Sequence, residues 1–215
     1  MMKKMEQLSI KELWNCVTAI YEKEKPDFKT YLNPAVSTEE VDAIEEKMGF
    51  QLPGELKELY LCNNGDTENL EGSILGLRFL PIGEMFLNWC DWLYVLKDKE
   101  LMKACEKDAE SVPQKAIRKV YANRKWIPFA HDQNGNYIGI DLDPDENGTV
   151  GQIINYGSDE SRKYVITKSL KEFLVLILKI LESTKPSIKT RYKRVIVNMG
   201  EISPIEMITE RRDEI

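Results

Sequence analysis

Trp126-Ile127-Pro128-Phe129-Ala130 and Tyr137-Ile138-Gly139-Ile140-Asp141-Leu142 flank the polar link His131-Asp132-Gln133-Asn134-Gly135-Asn136, and this stretch decides the fold. Asn134-Gly135 supplies two residues that tolerate positive φ, the usual chemistry of a hairpin turn. Ile138, Ile140 and Leu142 alternate with Tyr137, Gly139 and Asp141, the pattern of a strand with one buried face. Asp143 to Thr149 is a polar loop leading to a strand at Gln152–Tyr156; the turn Gly157-Ser158-Asp159-Glu160 then leads to Tyr164-Val165-Ile166-Thr167. A helix follows at once, with Leu170, Phe173, Leu174, Ile177, Leu178 and Leu181 at i, i+3, i+4, i+7 spacing. Short antiparallel strands followed by a strong helix predict an α+β domain, an antiparallel β-meander flanked by helices, and not a doubly wound sheet.

Working outward, Ser9-Ile10-Lys11-Glu12, Ser37-Thr38-Glu39-Glu40 and Ser169-Leu170-Lys171-Glu172 read as three capping boxes. In each the serine hydroxyl accepts from an orphan amide and the glutamate reaches back to the cap. The first helix carries Leu13, Trp14, Val17, Ile20 and Tyr21 and ends near Lys25-Pro26. The second buries Val41, Ile44 and Met48 and closes at Gly49; a third opens at Leu52-Pro53 and stops at Asn63-Asn64-Gly65. Ile74–Leu80 reads as a strand ended by Pro81. Residues 88–109 read as a broken helix with Trp89, Trp92, Leu93 and Leu96, and the stretch from Pro113 to Lys125 is the least patterned of the chain. Lys185-Pro186 marks a boundary, which gives a domain over residues 1–184 and a C-terminal extension, an appendage over 185–215, with one strand-like run at Val195-Ile196-Val197.

The 215 residues suit one domain, 42% of them hydrophobic and 31% charged, so disorder is excluded for the whole. A net charge of −6 argues against a nucleic-acid binder, whose phosphate contacts need Lys and Arg, and favours a basic protein partner. Cys16, Cys62, Cys90 and Cys105 form no Cys-x-x-Cys pair, and each falls in a helical segment. They read as buried or half-buried free thiols in a reducing compartment. Met1 to Ser9 holds no apolar run, and Phe173–Leu181 is interrupted by Lys179 and too short to span a bilayer. A cytoplasmic protein with no membrane segment is expected.

Catalytic constellations lack parts. The single histidine, His131, cannot build a triad or a paired-imidazole site, and beside Asp132 in a turn it reads as a solvated loop residue. The chain holds no phosphate loop and no nucleophile elbow. Asp141-Leu142-Asp143-Pro144-Asp145-Glu146-Asn147-Gly148 suggests a calcium loop, but Glu146 stands where that loop needs glycine and Gln152 where it needs a bidentate glutamate. No metal and no cofactor is expected. The same acids have another reading. Between His131 and Glu160 the chain carries seven acids and no Lys or Arg, a one-signed field suited to a basic protein. Asp141, Asp143, Asp145, Glu146, Asp159 and Glu160 are the candidate partner-binding residues, against the competing reading of plain solvated turns. Trp89 and Trp92, three apart on one helix face that is either core or groove, are the candidate apolar anchors.

The order of these signals resembles the SUKH superfamily, which includes fungal cell-wall-assembly regulators of the SMI/KNR type and bacterial relatives. The resemblance runs over residues 37–182: Ile44-Glu45 and Met48-Gly49, Leu52-Pro53, Leu59-Tyr60, Asn63-Asn64-Gly65, Leu80-Pro81-Ile82-Gly83-Glu84-Met85, Trp126–Ala130 with Asp132 and Gly135, Ile140–Pro144, Gly151–Ile154 and Ser169–Leu174. It departs at Asp66, where the family often shows a second glycine. It implies a SUKH-like α+β fold and, for bacterial members, an immunity protein that neutralises a toxin domain, often a nuclease, by binding it. The alternative is a regulatory scaffold of the cell-wall type with endogenous protein partners. On either branch the chain is expected to work by binding rather than by catalysis.

Overall fold

The computed structural model describes Met5 and residues 7–214. Part of the charged Met1–Ser9 stretch, and Ile215, lie outside them. The first helix, α1 (Ile10–Glu24), has a complete capping box. Ser9 Oγ accepts from the Glu12 amide, and the Ser9 amide donates to Glu12 Oε2 at 2.8 Å. The second, α2 (Thr38–Met48), has the same box at Ser37 and Glu40 and closes on Gly49 at φ +76°. Each box is worth about 1 kcal/mol. Pro53 then precedes α3 (Gly54–Tyr60), which buries Leu56, Leu59 and Tyr60.

The Asn63-Asn64-Gly65-Asp66 link forms a hub. Gly65 is left-handed at φ +69°, and a Cβ there would lie 2.5 Å from Pro81 N, so the backbone of the next segment occupies that space. Asp66 is fully buried, and its Oδ2 accepts from the amides of Gly72, Ser73 and Phe79 at 3.4, 3.2 and 3.1 Å. Short strands β1 (Leu70–Glu71) and β2 (Arg78–Phe79) follow this link, one on either side of the turn at residues 72–77. The strand expected over Ile74–Leu80 is reduced to Arg78–Phe79. Leu75 (φ 54°) and Gly76 (φ 97°) turn the chain back on itself, and Ile74 pairs with Leu77 across that turn. Pro81 stops β2 and caps α4 (Ile82–Val95), and α5 (Lys99–Glu106) follows with Asp98 as its cap. The break expected within 88–109 is therefore real, but α4 begins six residues before it was expected to.

Strands β3 (Glu110–Val112), β4 (Trp126–His131), β5 (Asn136–Asp141), β6 (Gln152–Gly157) and β7 (Arg162–Thr167) complete a six-stranded sheet in the order β2-β4-β5-β6-β7-β3. The meander β4–β7 is antiparallel as expected, while β3 joins the far edge in parallel with β7. Helix α6 (Leu170–Ser183) packs on one face, where Phe129 meets Phe173 with ring centroids 5.7 Å apart. On the other face Trp92 of α4 lies against Tyr137 and Tyr156 at 6.0 and 5.6 Å. Both faces are covered, so every residue of β5 and β6 is buried. At the α6 start Ser169 caps the Glu172 amide, but Glu172 accepts from the Lys168 amide instead of completing the expected box.

Residues beyond 184 are not a loose appendage. They form β8 (Ser187–Arg191), β9 (Arg194–Asn198) and α7 (Pro204–Glu210). The second small sheet runs β1-β9-β8, with β9 parallel to β1, so the C-terminal hairpin is stitched to the Asp66 hub. Val195, Val197, Ile205, Met207 and Ile208 belong to the same apolar core as α1 and α6. α6 buries Val175, Leu176 and Ile180 as well as the stripe expected from its periodicity, and it packs on α1 and on the 3-10 turn Arg212–Glu214 that ends the described chain. A helix apolar on more than one side needs a second cover.

Candidate functional site

The strands that make the sheet also separate the candidate acids. Asp132 and Asp159–Glu160 lie in the β4–β5 and β6–β7 turns at one end, and Asp143–Glu146 in the β5–β6 loop at the other. Six residues of β5 lie between, a span of about 17 Å at roughly 3.3 Å per residue. The single acidic field expected from sequence is two clusters on opposite ends of the sheet.

At the near end Asn136, buried at the first position of β5, is the organising residue. Its Nδ2 donates to Asp132 Oδ2 at 2.9 Å and to Asp159 Oδ2 at 3.2 Å, and its Oδ1 accepts from the Asp159 amide at 3.0 Å. Asp132 Oδ1 also accepts from the Asn134 and Asn136 amides, which fixes the turn. Glu160 completes the group, half-buried, with Oε2 accepting from Asn155 Nδ2 at 2.5 Å. Burial pushes the Glu160 carboxyl up, aided by Asp132 and Asp159 and opposed by the Asn155 amide and Lys163. Asp159 is exposed. This end presents Asp132, Asp159 and Glu160 together.

Lys163, which the sequence reading passed over, lies beside them. It is 1% exposed, donates to the Glu160 carbonyl at 3.0 Å, and sits 5.8 Å over the Trp126 ring. Burial brings its amine down to about 8, against the pull of Glu160 and Cys105. A cleft of about 130 Å³ opens here between Cys105, Tyr121, Ser158, Asp159 and Lys163. The one signal in the sequence was a lysine one residue before an apolar strand run, which reads as a flank rather than a buried position.

The far end is different in character. Asp143 is paired with Arg118 at 2.9 Å and accepts from Asn123 Nδ2 at 3.0 Å, while Glu146 pairs with Lys115 at 2.6 Å. The irregular stretch 113–125 brings in the cations that residues 131–160 lack. Asp145 accepts from the Glu146 amide through its Oδ1. Asp141 is 0% exposed, so it cannot meet a partner. Its Oδ1 accepts from the Asp143 amide at 2.9 Å and its Oδ2 from Gln152 Nε2 at 2.9 Å, which closes the loop. Burial holds its carboxyl up at about 6, despite those two donors.

The open choice between core and groove for the tryptophans is resolved as well. Trp89 is 3% exposed, donates to the Arg124 carbonyl at 2.8 Å and stacks on Phe86, so it is core rather than an anchor. Trp92 is half-buried and held edge-on by Tyr121, Tyr137 and Tyr156. His131 is not a solvated loop residue: it ends β4, stacks on Tyr137 at 5.9 Å, and burial lowers its pKa. Of the thiols, Cys62, Cys90 and Cys105 are half-buried as expected and Cys16 is exposed. Among the described residues no group of three or more His, Cys, Asp or Glu side chains is placed to hold a metal ion. Among the same residues no helix is long and apolar enough to cross a membrane.

A separate groove of about 520 Å³ runs between α1 and α6, lined by Cys16, Ala19, Ile20, Leu178 and Leu181 with Lys23 and Glu182 at its rim. It is apolar and carries no convergent polar groups.

Comparison with known proteins gives a match to the model of the SMI1 / KNR4 family (SUKH-1) over residues 35–175. The chain is 28% identical over 210 residues to "KNR4/SMI1 homolog 2" of Debaryomyces hansenii, covering 81% of this chain and 36% of that protein. It is 27% identical over 201 residues to the "Glucan synthesis regulatory protein" of Neurospora crassa, with 79% and 38% covered. It is 25% identical over 203 residues to the "Cell wall assembly regulator SMI1" of Saccharomyces cerevisiae, with 79% and 40% covered. The chain thus spans well under half the length of these relatives. Their names bear on the regulatory branch of the resemblance and not on toxin neutralisation.

Proposed function

The chain belongs to the SMI1 / KNR4 family (SUKH-1), and from that premise we propose that it is a non-enzymatic regulatory domain that works by binding endogenous proteins, in a role of the cell-wall-assembly type. One observation carries the non-enzymatic half of this reading. The buried ionisable groups are spent on scaffolding: Asp66 on three amides, Asp141 on Asp143 and Gln152, and Lys163, although it lines the small cleft, on the Glu160 carbonyl. A catalytic acid or base needs a reacting atom within hydrogen-bond reach, and the partners of these groups are backbone amides and carbonyls and the Gln152 side chain.

The regulatory half rests on the relatives' names, which speak of cell-wall assembly and glucan synthesis. The exposed near end, with Asp132, Asp159 and Glu160 held in place by Asn136 and Asn155, is the acidic face we assign to a basic partner. Asp143 and Glu146 contribute little there, because each already has its own cation.

The test is the growth of cells lacking the chain on a wall-perturbing agent, scored against rescue by wild type and by D159K/E160K. Wall sensitivity rescued by wild type and not by the folded double variant supports both the role and the surface. Normal growth, together with stoichiometric capture of a toxin domain whose activity the chain blocks, would overturn it in favour of immunity.

A further inference from the structure

The net charge of −6 conceals a local reversal of sign. Residues 185–194 contain Lys185, Lys189, Arg191, Lys193 and Arg194 and no acid. This run builds the β8–β9 hairpin. Lys185 at its base is paired with Glu24 of α1, and Arg194 with Glu71 of β1. Among the described residues Lys189, Arg191 and Lys193 have no ion pair, and all three are exposed.

The register fixes where these side chains stand. Ile188 pairs with Val197 and Thr190 with Val195, and both valines are buried, so Ile188 and Thr190 share the inward face. Lys189 and Arg191 therefore stand on the outward face, two residues apart. The loop has two residues, Tyr192 and Lys193, closed by the pair Arg191 and Arg194. Both loop residues are left-handed, at φ 51° and 69°. Asn-Gly is the residue pair at ease in such a turn, and a tyrosine and a lysine are held there against their preference. Strain of this kind clusters at functional positions. Its effect here is to place Tyr192 at the tip, 89% exposed.

β8 is also an outer strand, and among the described residues β9 is the one strand paired with it. With Arg191 and Arg194 as the hydrogen-bonded closing pair, the N–H and C=O groups of Ile188 and Thr190 point away from β9. An edge of unpaired backbone groups is a template for another strand.

We propose that the β8–β9 hairpin is a docking site for an extended acidic polypeptide segment, which adds to β8 as a fourth strand of the small sheet. Backbone pairing at Ile188 and Thr190 supplies its orientation. Lys189 and Arg191, at i and i+2, meet carboxylates that alternate along the segment with the same period of two. Lys193 extends the cationic row to the tip, and Tyr192 covers an apolar side chain of the segment. The recognised pattern is thus acid-x-acid in an extended chain, with small or apolar residues between. The inference deepens the protein-binding reading by naming a second surface of opposite sign, and it rests on that reading only for its place in the cell.

The experiment uses the full chain and a fluorescein-labelled Glu-Val-Glu-Thr-Glu-Val peptide, read by anisotropy. Controls are the peptide with Lys in place of Glu, a block peptide with its glutamates contiguous, and phosphatidylserine vesicles. The alternating acidic peptide is expected to bind, more weakly as salt rises, with K189E/R191E costing at least about 10-fold. Thr190→Pro should cost a similar factor, because it deletes an edge donor and leaves the pairing to β9 intact. Slowed amide exchange at Ile188 and Thr190 on adding the peptide reads the same contact if that variant is poorly folded. Equal binding by folded T190P, unchanged exchange at those amides, no preference for the alternating peptide, or binding to vesicles alone would overturn the proposal. None of these results bears on the wall-growth test above, so the two readings fail separately.

Discussion

Replacing Asp66 with asparagine should remove a large part of the pH dependence of stability. Asp66 is fully buried, and burial raises its carboxyl from 3.8 to about 7, against the amides of Ser73 and Phe79 and the positive charge of Arg78. Its Oδ1, with the hydroxyls of Thr67 and Ser73, is buried without a hydrogen-bond partner. Such a site disfavours the charged form. The folded pKa is raised, so the folded chain holds this proton more tightly than the unfolded one. Its contribution is fully present below about pH 4 and is lost as pH rises to about 7. At 1.36 kcal/mol per unit, the shift corresponds to ~4 kcal/mol across that window.

Asparagine keeps an acceptor for the three amides and cannot ionise. Its own N–H groups enter a buried site, at a cost of about 1–3 kcal/mol wherever they find no acceptor. D66N should therefore be about 1–3 kcal/mol less stable than wild type at pH 4 and about 1–3 kcal/mol more stable at pH 8. The curves should cross near pH 5–6, as midpoint and offset together require. Urea unfolding at five pH values, with m unchanged between the two chains, measures this. Asp141, raised to about 6, leaves a residual slope of the same sign in both chains, so the difference between the curves is the quantity to read. Parallel curves for wild type and D66N from pH 4 to 8 would refute the reasoning.

Three further outcomes follow from the same geometry. Ile208→Ala, at a fully buried position of the C-terminal helix α7, should cost about 2–5 kcal/mol in a single urea transition; a loss below about 1 kcal/mol would detach that segment from the core. Lys163→Met removes an amine that burial lowers from 10.5 to about 8, a folded state that binds its proton less tightly than the unfolded chain. Wild-type stability should rise between pH 8 and 10.5, K163M should lack that rise, and the variant should gain ~2 kcal/mol at pH 7 by thermal melting with the bond to Glu160 discounted. Gly65→Ala places a Cβ 2.5 Å from Pro81 N at φ +69° and should cost more than about 3 kcal/mol, visible as poor recovery of folded protein.

The helices were legible because their signals are local. Ser9, Ser37 and Gly49 act within one turn, and each sits where its chemistry placed it. The β4–β7 meander was legible for the same reason, through Asn134-Gly135 and the alternation around Ile138. What failed was inference across the sheet. Alternation at Ile138, Ile140 and Leu142 implied that Asp141 faced water, but α4 covers the second face with Trp92, and Asp141 became a buried loop anchor. The C-terminal fold carried a capping pattern of its own, Ser203-Pro204-Ile205-Glu206, and Ser203 does cap the Glu206 amide. That start signal was masked by the charged residues around it.

The candidate surface fared worst, and the reason lies in the range of electrostatics. Seven acids with no intervening cation look like one field along the chain, but a six-residue strand puts about 17 Å between its ends, beyond the ~8–10 Å screening length of physiological salt. Each end must then be judged against its spatial neighbours. Arg118 and Lys115 neutralise one end, while Asn136 and Asn155 hold the acids of the other without cancelling their charge. The same argument limits what a net charge can exclude. A total of −6 spread over the molecule does not set the field at the β8–β9 hairpin, where Lys185 and Arg194 are paired with acids but Lys189, Arg191 and Lys193 are left without an ion pair among the described residues. An anionic segment arriving there meets a local field of the opposite sign to the molecular average, and it is the local field that sets recognition.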